Sequence, residues 1–434
     1  MKLKSWGNYP SKKGTSYYFD SVDQFKNLVK QKKNSNDSFI AQGNHRSYGD
    51  SALATTVLDM KSRDYFLDFD KDKGILQVQS GALFSDILEI IIPKGWILPV
   101  LPGTQLITIG GAIASDVHGK NHHKVGTFCQ FVRSLRLMQN DGKIINCSET
   151  ENSETFFATC AGMGLTGLIL DATIELTEIK SNTIKQKTIK SSNLKQTFDL
   201  FEKHNDSSYS VAWIDCLAIG EDLGKSVVML GEPKSNGNLT YKYKSKIKMP
   251  LFFPPFVLNT WSVKIFNGLY YWKAKNGHKS VSLQEFFFPL DSIIDWNKMY
   301  GKKGFVQYQC AIPLENSFVG MQAILEKIAE SKQGSFLAVL KRMGPKNNNL
   351  MSFPMEGFSL ALDFKVNKKT FKLLNELDKI TTQYNGRLYL CKDARMSLET
   401  LNSGYENADK FRQYRKDNNL NKHFNSLQSQ RLKL

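Results

Sequence analysis

Between residues 37 and about 178 the apolar positions come in short runs separated by glycine. FIAQG (39–43), TTVLDM (55–60), GILQVQSGA (74–82), SLRLMQNDGKIINC (134–147) and GLILDATIEL (167–176) have the length and β-branched content of strands. Asn140, Asp141 and Gly142 divide the fourth run into two halves and predict a hairpin turn, because these residue types tolerate positive φ. The period changes in LFSDILEIIIPKG (83–95), which predicts an amphipathic helix that must stop before Pro93. ETFFATCAGMG (154–164) predicts a shorter helix closed by glycine.

From about residue 179 long helical periods appear: NLKQTFDLFEKH (193–204), SFVGMQAILEKIAESK (317–332) and NKKTFKLLNELDKITTQY (367–384). GFVQYQCAIP (304–313) and FSLALDFKV (358–366) lie between them as strands. The pattern predicts an α+β chain of two domains, 1–178 and 179–395, the second an antiparallel sheet with helices on one face. The remainder, 396–434, is too charged to form a core of its own and is expected to dock back on the first domain. Residues 235–280 stand apart, mixing lysine clusters with an aromatic and proline-rich stretch. They read either as an ordinary loop and buried insertion, or as a mobile flap that meets a lipid chain or an anionic membrane surface.

Composition narrows the function classes. With 434 residues and 41% hydrophobic content the chain can bury a large interior, which excludes global disorder. A net charge of +17 suits nucleic acid, a membrane surface or an anionic substrate such as a sugar phosphate. No nucleic-acid-reading motif is present, so nucleic acid is not expected as a partner. The six cysteines form no CxxC pair and read as reduced, mostly buried thiols. The N-terminus lacks an apolar signal region and no run of about 18 apolar residues occurs. The cytoplasm is therefore the expected compartment, with peripheral contact at the inner face of the membrane left open.

Two glycine-rich segments carry the candidate chemistry. QGNHRSYGDSA (42–52) follows a strand, and its small residues let backbone N–H groups approach an anion, with Arg46 adding charge. A plain tight turn is the alternative, and the spacing is neither a Rossmann nor a Walker loop. LPGTQLITIGGAIASDVHGKNHHKVGTF (101–128) holds Gly103, Gly110, Gly111 and Gly119 and three of the seven histidines. The His118, His122, His123 cluster invites a metal, but it lacks paired carboxylates and carries Lys120 in its middle. A polar cluster lining a cofactor pocket fits better, and no metal is expected.

Together GNHRSYGD, PGTQLITIGGAIASDVHGKNHH and CAGMGLTGLILDATIEL resemble the FAD domain of the vanillyl-alcohol-oxidase and p-cresol-methylhydroxylase superfamily. HGKNHH resembles most closely the flavin subunits of decaprenylphosphoryl-ribose 2′-epimerases. The likeness continues through FVQYQCAIP, FLAVLKRMGPKN, MSFPMEGFSLALDF, GRLYLCKDAR and SLQSQRL, covering about 37 to 434. It implies the following placements. Ala41, Gln42, Gly43, Asn44, His45, Arg46, Ser47, Tyr48, Gly49, Asp50 and Ser51 hold the FAD pyrophosphate, with Tyr48 near the flavin. Gly103 and the segment Thr108, Ile109, Gly110, Gly111, Ala112 line the nucleotide. His118, Gly119, Asn121 and His122 approach the isoalloxazine, Leu168 supports the adenine side, and Tyr389 and Lys392 close over the flavin.

The resemblance also implies non-covalent FAD, because Arg46 stands where many superfamily members carry a flavin-linking histidine; His45 is one residue earlier. The implied reaction takes a hydride from C2′ of an anionic ribosyl lipid and leaves a 2′-keto sugar, with a short-chain-dehydrogenase partner completing an epimerisation. Lys392 then acts as base or as a fixed cation, with His118 and Tyr48 as further proton-handling candidates. Gln307, Gln309, Lys341 and Ser359 are the substrate-side candidates, although a structural role for the two glutamines is equally open. Ala361 replaces the cysteine of mycobacterial members, Ser359 an asparagine, and Phe287 and Phe288 a Tyr and a His. An alditol or aldonolactone oxidase using oxygen, and a basic binding protein with a disused flavin fold, are the competing readings.

Overall fold

The computed structural model describes residues 1–19, 21–31, 38–245, 247–254 and 256–434. Asp37, at the start of the strand-rich stretch, and Lys246 and Pro255 in the 235–280 segment lie outside the described residues.

The first part of the chain builds two sheets. Thr15–Tyr18, Thr56–Asp59 and Phe39–Gln42 form a parallel three-stranded sheet. Ile144–Ser148, Val132–Met138, Leu168–Glu175, Ile75–Gln79 and Phe66–Asp70 follow in that order in an antiparallel five-stranded sheet. The hairpin between the first two closes through Gly142 at φ 82°, with Gln139 N–H donating to the Lys143 carbonyl at 2.9 Å. The helix Phe84–Ile91 buries Phe84, Ile87, Leu88 and Ile91 and gives way to a 3-10 turn at Ile92, one residue before Pro93. The second helix is shorter than its sequence window, Ser153–Thr159, because Cys160 is already extended.

The second part is one eight-stranded antiparallel sheet in the order Gly277–Ser282, Thr183–Ser191, Ser226–Pro233, Tyr209–Ile214, Ala338–Met343, Gly357–Lys365, Phe305–Pro313 and Arg387–Leu388. Strand side chains alternate between faces, and here the alternation divides chemistry from core. Val306, Tyr308, Cys310, Ile312, Phe358, Leu360, Leu362 and Leu340 belong to the core that also holds Met321, Ile324 and Leu325 of the helix Leu314–Ser331 and Leu373, Leu374 and Leu377 of Lys368–Gln383. Their neighbours Gln307, Gln309, Ala361, Val339 and Lys341 face a cavity instead. Register aligns them: Gln309 lies opposite Ala361, Ala361 opposite Val339, and Val339 opposite Trp213.

The C-terminal stretch folds as the helices Leu398–Gly404, Ala408–Asp417 and Leu427–Leu432 and ties onto the first sheets. Phe39 N–H donates to the His423 carbonyl at 2.8 Å and Leu427 N–H to the Leu53 carbonyl at 2.7 Å.

Residues 235–280 depart from expectation. They include a helix, Thr260–Lys273, and most of the sheet-edge strand Gly277–Ser282. A buried insertion is ruled out, because the helix buries only Val263 and Asn267. Its sequence carries apolar residues on both sides, which hides the amphipathic period. The N-terminal strands Lys2–Lys4, Ser11–Lys13 and Thr15–Tyr18 and the helix Val22–Gln31 were not anticipated either. Among the described residues no helix is long and apolar enough to cross a membrane.

Candidate active site

A cavity of about 400 Å³ opens between the sheet face carrying Gln307, Gln309 and Lys341 and the two glycine-rich loops. The loops reach each other because Gly43 has no side chain: a Cβ there would stand 2.1 Å from Thr108 Oγ1. Asn44 Nδ2 donates to the Leu106 carbonyl at 2.9 Å and fixes the same junction. Thr108 in turn caps the short helix Ile109–Ala114, its Oγ1 accepting from Gly111 N–H.

Ala41, Gln42, Gly43, Asn44, His45, Arg46, Ser47, Tyr48 and Ser51 all line the cavity. The Arg46 guanidinium stacks on Trp6, 4.0 Å from the ring centroid, and burial lowers its pKa against the opposing pull of Asp291. Gly49 and Asp50 stand behind the wall. A Cβ on Gly49 would meet the Asp393 carbonyl at 1.5 Å, and Asp50 is clamped by Arg431 at 2.8 Å. From the second loop Gly103, Thr108, Gly110, Gly111 and His118 line the cavity, while Ile109 and Ala112 are packed in the core behind it. Leu168 is likewise a core residue; its neighbours Gly167 and Ile169 reach the cavity.

His118 is buried and its Nε2 lies 3.1 Å from Gln309 Nε2, so it accepts from the amide and carries its proton on Nδ1. Burial, with Lys341, His122 and Lys392 nearby, holds it well below the usual histidine range and hence neutral. Gly119, Asn121 and His122 shape the loop from outside the cavity. Asn121 Nδ2 donates to the Pro99 carbonyl at 2.8 Å, and His122 Nδ1 accepts from Gly344 N–H at 2.9 Å. His123 instead meets the Ser207 carbonyl at 2.9 Å. The three histidines thus have separate partners, and no group of three or more potential metal ligands occurs among the described residues.

Three half-buried lysines converge on the cavity. Lys392 Nζ sits 3.9 Å above the Tyr48 ring, its pKa lowered by burial and partly restored by Cys391 and Asp363. Lys341 is lowered to about 8 by burial and by Lys392. Lys120 is lowered to about 7 by burial and by Lys341, and donates to the Phe286 carbonyl. Tyr389, whose hydroxyl donates to the Ser115 carbonyl at 2.8 Å, also lines the cavity. Ser359 does not, but its Oγ accepts from Gln309 Nε2 at 3.3 Å.

Sequence reasoning missed Asp363, Trp6, Asp291 and Ser80. Asp363 is buried, accepts from Gln307 Nε2 at 2.6 Å, and is pushed up to about 7 by burial. A carboxylate amid the apolar FSLALDFKV strand was its visible signal. Trp6 and Asp291 had none, since only the fold brings them to Arg46.

A family model described as an FAD binding domain matches residues 17–148. The chain is 32% identical over 413 residues to decaprenylphosphoryl-β-D-ribose oxidase of Mycolicibacterium smegmatis, covering 91% of this chain and 89% of that protein. Mouse L-gulonolactone oxidase matches at 27% over 177 residues, 40% of each chain. Human Δ24-sterol reductase matches at 30% over 114 residues, 26% of this chain and 22% of that one.

The cavity wall suits such a dinucleotide. Gln42 Oε1, Arg46 Nε, Ser80 Oγ and His118 Nδ1 are buried there without a protein partner, a state that polar ligand atoms relieve. A Cβ on Gly103 would meet nothing within 4 Å, so bare backbone faces the open space. Gly43, Gly110 and Gly111 add further backbone that a diphosphate can approach.

Proposed function

This chain belongs to the decaprenylphosphoryl-β-D-ribose oxidase family of FAD-dependent oxidoreductases, and on that premise we propose that it oxidises the 2′-hydroxyl of a prenylphosphoryl ribose to the 2′-keto form. The observation that carries this reading is the convergence of Lys392, Lys341, His118 and Gln309 on one cavity beside the glycine-rich loops. An anionic sugar lipid fits three half-buried lysines that otherwise repel one another.

FAD would be held by Ala41 to Tyr48 and Ser51 and by Gly103, Thr108, Gly110 and Gly111, and would supply two-electron acceptance. The protein supplies the rest. Lys392 Nζ, desolvated above Tyr48, takes the proton of the 2′-hydroxyl. Asp363 offsets the resulting charge, and Gln307 holds the Asp363 carboxylate in place. Lys341 meets the phosphate, whose negative charge draws its pKa back up from about 8. Neutral His118 and Gln309 orient the sugar as a hydrogen-bonded pair. Retention of FAD is non-covalent, with Arg46 paired to the Trp6 ring where a linking histidine would otherwise stand.

The 2′-keto product requires a reductase to complete an epimerisation, so a short-chain dehydrogenase is the proposed partner, and the enzyme works peripherally at the inner face of the membrane. The test is a spectrum of purified protein before and after acid precipitation, then anaerobic addition of a prenylphosphoryl ribose. Yellow supernatant bleached by the substrate is the expected result. Flavin that the ribosyl lipid leaves oxidised, but that a free aldonolactone bleaches, would replace the sugar-lipid reading with a gulonolactone-oxidase-like one.

A further inference from the structure

Of the 23 large hydrophobic side chains exposed among the described residues, ten fall between Ile247 and Trp272. The helix Thr260–Lys273 is inverted for a surface helix. Asn267 is fully buried and donates Nδ2 to Asp215 Oδ1 at 2.7 Å, next to buried Val263. Trp261, Ile265, Leu269 and Trp272, spaced by four, four and three, share the outer face, and the two tryptophans are 76% and 77% exposed. Leu251 and Phe256, each 75% exposed, extend the apolar surface into the preceding segment. Exposed apolar area of this extent marks an interaction site rather than ordinary surface.

The helix is held firmly in this orientation. Asn259 Oδ1 accepts from Trp261 N–H at 2.8 Å and Ser262 N–H at 3.1 Å, and Thr260 Oγ1 donates to the Lys332 carbonyl. Its inner side is part of the cavity wall: Tyr270 packs on Trp213 with ring centroids 4.5 Å apart, and both line the cavity.

Charge selects the occupant. Residues 233–284 contain nine lysines and no acidic residue. A second copy of this chain, itself at +17, would set those lysines against their own kind. An anionic bilayer receives both features at once, tryptophan and leucine entering the interface and lysines meeting headgroup charge.

We propose that the outer face of Thr260–Lys273, with Leu251, Phe252 and Phe256, is a docking surface that inserts into anionic lipid bilayers. This places the cavity about one helix diameter, roughly 10 Å, from the bilayer. A prenyl-anchored substrate then presents its sugar to the cavity while its chain stays in lipid; that consequence rests on the substrate reading above, whereas the surface itself does not.

The test is flotation of the FAD-loaded full chain with vesicles of phosphatidylcholine, alone or with about 30 mol% phosphatidylglycerol. Binding to the anionic vesicles, with tryptophan emission shifted to the blue and quenched by shallow spin-labelled lipid, is expected. The Trp261→Ser/Trp272→Ser double variant and Leu269→Glu should each bind roughly tenfold or more weakly, while keeping the flavin spectrum and the oxidation of a short, water-soluble prenylphosphoryl ribose. Unchanged vesicle binding by both variants, or none by the parent protein, would overturn the proposal. So would a parent dimer that these substitutions dissociate, which assigns the face to a second copy. Vesicle binding without oxidation of the soluble substrate upholds the surface and removes the substrate reading alone.

Discussion

Asp363 is buried and Lys392 half-buried beside the cavity, and each shifts the other's charge state. Burial lowers the lysine and raises the carboxyl to about 7, while their mutual attraction works the other way for both. Replacing Lys392 by Met keeps most of the packing on Tyr48 and removes the proton acceptor. The variant should retain FAD but be reduced by substrate on the order of 100-fold more slowly, read by anaerobic stopped-flow absorbance; reduction at the parental rate would take the lysine out of the chemistry. Asp363 makes a separate prediction about stability. Its folded pKa of about 7 lies above the ordinary 3.8, so between those values the folded state binds more protons than the unfolded one. Its contribution is present at low pH and is lost as pH rises towards 7. Asp363→Asn carries no such dependence, so its melting temperature relative to the parent should rise between about pH 4.5 and pH 7.5. A constant difference across that range would mean that the carboxyl is already ionised in the fold.

At the scale of elements, the sequence was most legible where periodicity and punctuation agreed. Asn140 to Gly142 marked the hairpin, Pro93 stopped the helix Phe84–Ile91, and the strand Phe305–Pro313 alternated clearly enough to put Gln307 and Gln309 on one face. The helix Thr260–Lys273 escaped because its outward face is as apolar as its surroundings, so no polar stripe distinguished it. The glycine loops were readable as loops, but which of their residues face inwards was not. That depends on supports from distant elements, such as the Asp393 carbonyl against Gly49 and the C-terminal Arg431 against Asp50. Arg431 bridges Asp50 and Asp393 at 2.8 Å each, and both carboxylates are buried. Substituting Arg431 by Ala leaves two like charges facing each other without the cation that bridges them. The expected loss is roughly 3 kcal/mol, measured by urea denaturation, with a parallel fall in bound flavin because Asp50 anchors the 41–51 loop. A variant that unfolds earlier yet keeps its full flavin content would confine the clamp to stability.

For the whole molecule, the consequential feature is that neither half encloses the cavity alone. One wall is the loop pair of residues 41–52 and 101–120, and the other is the sheet face of Gln307, Gln309, Lys341 and Trp213. This also explains why Trp6 and Asp291, far apart in sequence, were invisible before folding: Asp291 reaches Arg46 only across that junction, and Trp6, under Arg46, packs on Trp296 of the second half at 5.8 Å between ring centroids. A cofactor that touches both walls binds the folded chain and not the unfolded one, so it must stabilise the fold by mass action. With reversible, non-covalent FAD the gain is about 2.7 kcal/mol at a hundredfold excess over Kd and continues to grow with concentration. Protein stripped of flavin should therefore melt lower, and each further addition of FAD should raise its melting temperature logarithmically. The Arg46 guanidinium, seated on Trp6 at the position where the resemblance implies a flavin-linking histidine in many superfamily members, is the reason to expect reversibility. A melting temperature insensitive to added FAD, in protein whose colour survives acid precipitation, would point instead to a covalent link, with His45 on the cavity wall as the residue to examine.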